Sequence, residues 1–257
     1  MIKLKTPQDI ELMREGGAIL ASIIDEVAAM VAPGVETAAL NERAEQLILA
    51  AGARSSFKNY KPTWASTPYP AVLCVSINNE VVHGLPIPSR KLKAGDIVGL
   101  DCGLEYKGRY TDHATTVAVG QISKQAMKLM TVTQDALDLG IAAIKPGAKI
   151  SDIARAIQRH AEGAGFGVVR QLVGHGVGFS IHEAPSVPNF VDRHEREVEL
   201  RPGMTIAIEP MITMGAWPVA TLPDEWTIVT EDGSISAHFE HTVAVTETGY
   251  EILTLLK

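Results

Sequence analysis

The sequence is short of several features that would have directed the analysis elsewhere. Its 257 residues include two cysteines, Cys74 and Cys102, and no CxxC pair. That leaves no disulfide framework and fits a reducing, cytoplasmic setting. Basic residues are not in excess: 23 Lys and Arg stand against 30 Asp and Glu, for a net charge of −7. Such a balance argues against nucleic-acid recognition or binding to a membrane surface. No apolar run approaches the length of a membrane span. The N-terminal stretch from Met1 to Pro7 has no apolar core of the signal-peptide kind, so no signal peptide is expected. There is no low-complexity tract and no obvious linker. A hydrophobic content of 46% and a charged content of 21% describe an ordinary soluble globule.

What the chain does have is the same pattern twice. The first half carries His83-Gly84, then Asp101 closing an apolar run, then Asp112-His113 opening another. The second half carries His175-Gly176, then Glu209 closing an apolar run, then Glu240-His241 opening another. The helical parts repeat as well. Pro33/Pro146, Leu40/Ile153 and Gly52/Gly165 are all separated by 113 positions. Two copies imply a duplicated α/β unit and not a solenoid. We therefore read residues 1–257 as a single domain with an internal pseudo-repeat, its halves covering roughly 1–120 and 121–257.

Local signals give the elements. Thr6-Pro7-Gln8-Asp9 reads as a helix start, and apolar spacing carries that helix to about Val31. A second helix is expected from about Thr37 to Ala51, a third from Ser123 to about Ala143, and a fourth capped by Ser151. Strands are expected over 72–77, 97–104, 110–119, 168–172, 205–212, 226–229 and 242–245. Helices then strands, twice over, predicts an α+β fold with helices packed on a largely antiparallel sheet.

If the halves face each other, Asp101, Asp112, Glu209 and Glu240 meet. Four carboxylates cannot share a buried site unless cations neutralise them. His175 is flanked by glycines, which let the backbone come close and leave the imidazole free to ligate. His182-Glu183-Ala184-Pro185 is not HExxH, so a zinc helix of the thermolysin type is excluded. Four carboxylates and an imidazole suit Mn²⁺, Fe²⁺, Co²⁺ or Zn²⁺ without selecting among them. Two such ions activate water and polarise a carbonyl, so the implied reaction class is hydrolysis.

These segments closely resemble the type I methionine aminopeptidases. The matching stretches run from Ser76 to Pro86, from Val173 to Gly178, from His182 to Pro185, from Leu200 to Met211 and from Phe239 to Val243. The resemblance spans nearly the whole chain. There is no N-terminal extension and no long insertion between Glu209 and Glu240 of the kind type II enzymes carry. The resemblance implies the pita-bread fold, two pseudo-symmetric halves around a dinuclear centre. It implies Asp101, Asp112, His175, Glu209 and Glu240 as metal ligands, with Asp112 and Glu240 bridging. It further implies His83 and His182 at the scissile peptide, Glu209 as proton shuttle, and Tyr69, Cys74 and Trp226 around the methionine side chain. A thioether suits such an apolar, aromatic-walled cavity. The implied partners are nascent polypeptide N-termini, with a monomeric enzyme and ribosome docking left open.

Three departures from the family pattern stand out. His113 follows Asp112 where a small residue is usual. Residues 57–67 form a longer loop without the usual cysteine. Ile181 replaces a common aromatic pocket residue. Two other readings remain open: an Xaa-Pro-type peptidase, for which the chain is short, and a non-catalytic protein retaining the fold, although all five ligand positions are filled.

Overall fold

The computed structural model describes residues 2–192 and 197–256. The first half contains α1 (Pro7–Ala29), α2 (Thr37–Ala50), β1 (Arg54–Ser55), β2 (Cys74–Ile77), β3 (Glu80–Val82), β4 (Ile97–Tyr106) and β5 (Arg109–Ala118). The second contains α3 (Lys124–Ala142), α4 (Ile150–Gly163), β6 (Gly167–Val168), β7 (Gly174–Gly176), β8 (Glu183–Val187) and β9 (Thr205–Ile208). It continues with β10 (Met211–Thr213), β11 (Val219–Thr221), β12 (Ile228–Thr230), β13 (Ser236–His238), β14 (Glu240–Val245) and β15 (Tyr250–Ile252).

Local chemistry explains most helix boundaries. Thr6 caps α1: its hydroxyl accepts from the Asp9 N–H at 3.2 Å, and the Asp9 carboxylate accepts from the Thr6 N–H at 2.8 Å. Ser123 caps α3 in the same way through the Ala126 N–H. The expected Ser151 cap is a correction. The cap is Lys149, two residues earlier, and the Asp152 carboxylate accepts from the Lys149 N–H. The 113-residue spacing recurs in the backbone. Gly34 and Gly147, and Gly52 and Gly165, all have positive φ. Glu36 and Lys149, also 113 apart, each make an isolated antiparallel bridge, to Lys91 and Glu199 respectively.

One nine-stranded sheet runs across both halves in the order β1-β4-β5-β14-β9-β7-β8, with β2 added to β4 and β15 to β14. Every pairing in it is antiparallel. Leu20, Ile24 and Val27 of α1 and Leu40 and Ile48 of α2 pack against Val98, Leu100, Cys102 and Leu104 of β4. Leu129 and Leu137 of α3 and Ile153 and Ile157 of α4 pack against Ile206 and Ile208 of β9 and Val243 and Val245 of β14. Strand side chains alternate between faces. In β4, β9 and β14 the residues between these apolar ones therefore turn the other way.

Several expected strands are corrected. The run 168–172 pairs only at Gly167–Val168, and 226–229 is shifted to Ile228–Thr230. The run 205–212 is two strands that belong to different sheets: β9 lies in the large sheet, while β10 pairs with β13 and β6. The break falls at Glu209-Pro210, because proline has no N–H for the ladder.

Candidate metal centre

The five acidic and imidazole side chains expected to ligate metal come from five neighbouring strands. Asp101 is on β4, Asp112 on β5, Glu240 opens β14, Glu209 follows β9, and His175 is on β7. Register aligns them. Asp101 and Glu240 both lie opposite Ala114, on either side of it, and Asp112 is two residues from Ala114 on the same face. His175 lies opposite Ala207, two residues before Glu209. The small side chains of Ala114 and Ala207 leave the middle of this face open. Thr242, also opposite Ala207, ties β14 to β5. Its hydroxyl accepts from the Asp112 N–H at 2.9 Å and donates to the Asp112 carbonyl at 2.8 Å.

Donor atoms of Asp101, Asp112 and Glu240 lie within 4.8 Å of one another, as do those of His175, Glu209 and Glu240, and those of Asp112, His175 and His182. Asp112, His175 and Glu240 thus each belong to two of the three groups. The cluster is buried: Asp101, Asp112 and Glu240 are 7%, 3% and 2% exposed. Burial pushes the Asp101 carboxyl up to about 7, with the Glu209 carboxylate adding to the effect. Burial, then the neighbouring carboxylates, holds Asp112 and Glu240 well above the ordinary range. Burial opposes the charge on Glu209 too, but the His238 and His175 imidazoles outweigh it and keep that carboxyl low. Asp101 Oδ1 and Glu240 Oε1 have no hydrogen-bond partner among the described residues. Crowded, buried carboxylate oxygens without donors are what a divalent cation satisfies, so the donor set fits a metal centre.

Sequence reasoning missed His238. This buried imidazole ends β13, with Nε2 3.6 Å from Glu209 and 3.9 Å from Glu240. Its place depends on how β13 and β14, strands of different sheets, meet, which spacing along the chain does not show.

A cavity of about 570 Å³ opens beside the cluster. His83 and His182 both line it. Burial holds the His83 imidazole down at about 4. Partial desolvation, reinforced by His175, holds the His182 imidazole below its usual range, although its side chain stays open to solvent. Both rings are therefore neutral near pH 7. The far wall is apolar and aromatic. Tyr69, Cys74 and Trp226 form one cluster with Ala65 and Ala71, and the Tyr69 and Trp226 rings meet edge-on at 5.1 Å. Trp64, from the long 57–67 segment, packs edge-on against Trp226, also at 5.1 Å.

The departures resolve differently. Ile181 is buried with Met13 and Val177 and does not itself line the cavity, but it lies behind the wall, where the lining residues Phe57 and Tyr60 pack against the same cluster. His113 stacks on His241 with centroids 4.7 Å apart and planes 7° apart, its Nδ1 2.5 Å from the Glu240 carbonyl. It belongs to none of the three donor groups.

The family model described as metallopeptidase family M24 matches residues 11–247. A methionine aminopeptidase of Clostridium perfringens is 46% identical over 257 residues, covering all of both chains. The crystal structure of a methionine aminopeptidase from Thermotoga maritima superposes with a TM-score of 0.93 at 42% identity, covering 99% of each chain. The chain belongs to the methionine aminopeptidases of metallopeptidase family M24. It is therefore a hydrolase, and its curved antiparallel sheet with flanking helices is the pita-bread fold. An Xaa-Pro dipeptidase from Bacillus anthracis shares that fold with a TM-score of 0.75, at 22% identity and over 62% of its own length. Membership of a metallopeptidase family agrees with the candidate metal-binding groups in the carboxylate cluster. Among the described residues, no helix is long and apolar enough to cross a membrane.

Proposed function

We propose that this enzyme removes the initiator methionine from nascent polypeptides, as a cytoplasmic monomer in which both halves of the chain form one domain. The juxtaposition of the carboxylate cluster with an aromatic-walled cavity carries this reading. Two divalent ions (Co, Mn, Fe or Zn) would be held by Asp101, Asp112, His175, Glu209 and Glu240. Bound there, such ions lower the pKa of water and polarise a carbonyl.

The chain's own residues do the rest. Tyr69, Cys74 and Trp226 receive the thioether side chain and exclude water from it. The Tyr69 ring is fixed by its hydroxyl, which donates to the Gly84 carbonyl at 3.0 Å. His83 and His182, neutral at working pH, offer N–H groups to the carbonyl oxygen as charge grows on it. Glu209 is ionised, so it can take a proton from the attacking water and return it to the leaving amine.

Metal analysis combined with assays on Met-Ala-X and X-Pro peptides tests this assignment. Metal-dependent release of methionine from Met-Ala-X is expected. Preferential cleavage of X-Pro peptides would move the enzyme to the prolidase side of the fold, and metal binding without cleavage would make it a binding protein.

A further inference from the structure

One imidazole at the centre has two jobs open to it. His182 is in a candidate donor group with Asp112 and His175, yet it also faces the cavity where a substrate carbonyl would lie. A ligand needs a lone pair on the inward nitrogen, whereas a hydrogen-bond donor needs a proton there. The partner of the other ring nitrogen decides which tautomer is present.

The two neighbouring histidines differ at that point. His175 Nδ1 lies 3.0 Å from the Gly176 carbonyl. A carbonyl only accepts, so Nδ1 of His175 carries the hydrogen and Nε2 offers a lone pair to the carboxylate cluster. The His182 ring meets that of His175 edge-on, with centroids 4.4 Å apart. Its Nδ1 lies 2.9 Å from the hydroxyl of Tyr60. No other hydrogen bond of that hydroxyl is present among the described residues. A phenol donates better than it accepts, because its oxygen lone pair is drawn into the ring, and an unprotonated imidazole nitrogen is a good acceptor.

We propose that Tyr60 is a positioning residue that fixes His182 as the Nε2–H tautomer. The Tyr60 O–H donates to Nδ1, Nε2 keeps its proton, and His182 is thereby a donor to the substrate carbonyl and is withheld from the metal. Tyr60 is itself well placed for this. Its N–H donates to the Phe57 carbonyl at 2.8 Å, and its carbonyl accepts from the Tyr69 N–H at 2.9 Å. The long 57–67 segment thus supplies part of the reaction geometry as well as the cavity wall. This inference rests on the peptidase assignment for the carbonyl that Nε2 addresses, but the tautomer itself can be read without any substrate.

¹⁵N NMR of the histidine-labelled protein, metal-free and zinc-loaded, tests it. The expected result is His182 protonated on Nε2 in both states, while His175 is protonated on Nδ1 and its Nε2 resonance moves on zinc addition. Tyr60→Phe is expected to turn the His182 signal into a tautomer mixture. Its kcat on a Met-Ala-X peptide should fall about tenfold, the scale of one lost hydrogen bond, with KM held within roughly twofold. A His182 Nε2 resonance that moves on zinc binding, or an unprotonated Nε2 in the unsubstituted protein, overturns the proposal. So does a Tyr60→Phe spectrum identical to the unsubstituted one. If Tyr60→Phe fails to fold, the spectrum of the unsubstituted protein decides alone. Absence of methionine release by the unsubstituted enzyme would instead refute the peptidase assignment, with the tautomer still measurable.

Discussion

The ammonium of Lys5 is buried in an ion pair with the carboxylate of Glu183, the residue that follows His182. The Lys5 side chain is 1% exposed and that of Glu183 14%. Lys5 Nζ lies 5.0 Å above the Phe179 ring, and Glu183 accepts from the Phe179 N–H at 3.3 Å. The Lys5 N–H donates to the Gly203 carbonyl at 2.7 Å. The N-terminal segment therefore straps the 179–183 turn that presents His182 to the cavity. Burial pulls the Lys5 pKa down and Glu183 pulls it back up, so the pair depends on both members. Lys5→Met leaves a buried carboxylate without its partner and is expected to cost about 3–5 kcal/mol. Adding Glu183→Gln should recover most of that loss. Urea denaturation of both variants checks this; a double variant no more stable than Lys5→Met would mean that the pair is not what stabilises the strap.

Two side chains are assigned to the chemical step, and each assignment is open to direct challenge. Glu209→Gln removes the ionised group that the His238 and His175 imidazoles keep charged. His182→Ala removes a donor to the carbonyl oxygen. Each is expected to lower turnover of a Met-Ala-X peptide by about 10²-fold or more. Steady-state kinetics at saturating metal measure it, and near-normal turnover in either variant would strip that residue of its role.

The raised pKa of Asp101 sets a pH dependence whose sign can be worked out. Its folded value of about 7 compares with about 4 in an unfolded chain. Between those values the metal-free folded state holds a proton that the unfolded state has released. That contribution to stability is present below about pH 4 and is lost as pH rises through 7. Asp101→Asn lacks this contribution, while Asp112 and Glu240, also raised by burial, keep theirs. With a chelator present, the stability of the Asn variant relative to the unsubstituted chain should therefore increase from pH 4 to 7 and then level off. Saturating divalent metal should reverse the order, because only the intact donor set gains full binding energy. Denaturation curves at pH 5 and 8, with and without metal, give all four values.

The legible parts of the molecule were those written in local pattern. The Thr6 and Ser123 helix starts and the apolar spacing of α1 follow from neighbouring residues. The meeting of the four carboxylates was legible because duplication placed Asp101 and Asp112 in the same relation to apolar runs as Glu209 and Glu240. What escaped depends on long-range pairing. The short strands β7 and β8 have no alternation of their own and exist because β9 is there to pair with β7. His238 acquires its place only because β13 and β14 bring it beside Glu209. Tyr60 is bonded to a ring 122 residues away, a relation that spacing along the chain does not encode.

The close backbone approach expected of the glycines around His175 is present in the contacts. A Cβ at Gly176 would stand 2.3 Å from the Ala184 carbonyl oxygen, and one at Gly174 would stand 2.4 Å from that of Ala207. Those oxygens belong to backbone on either side of β7, in β8 and β9, so no side-chain rotation relieves the clash. The missing side chains let three strands close around His175 and fix how far its ring reaches toward Glu209, 3.5 Å from Nε2. Gly176→Ala must push β8 away from β7, which also shifts the His182 turn leading into β8. We expect a stability loss of about 1–3 kcal/mol, typical of overpacking. A larger proportional loss of metal affinity should accompany it, because a ligand displaced by a fraction of an ångström no longer fits the cluster. Isothermal titration with Zn²⁺ alongside thermal denaturation separates the two effects. Unchanged metal affinity in a folded Gly176→Ala protein would mean that the close approach of β8 serves packing alone.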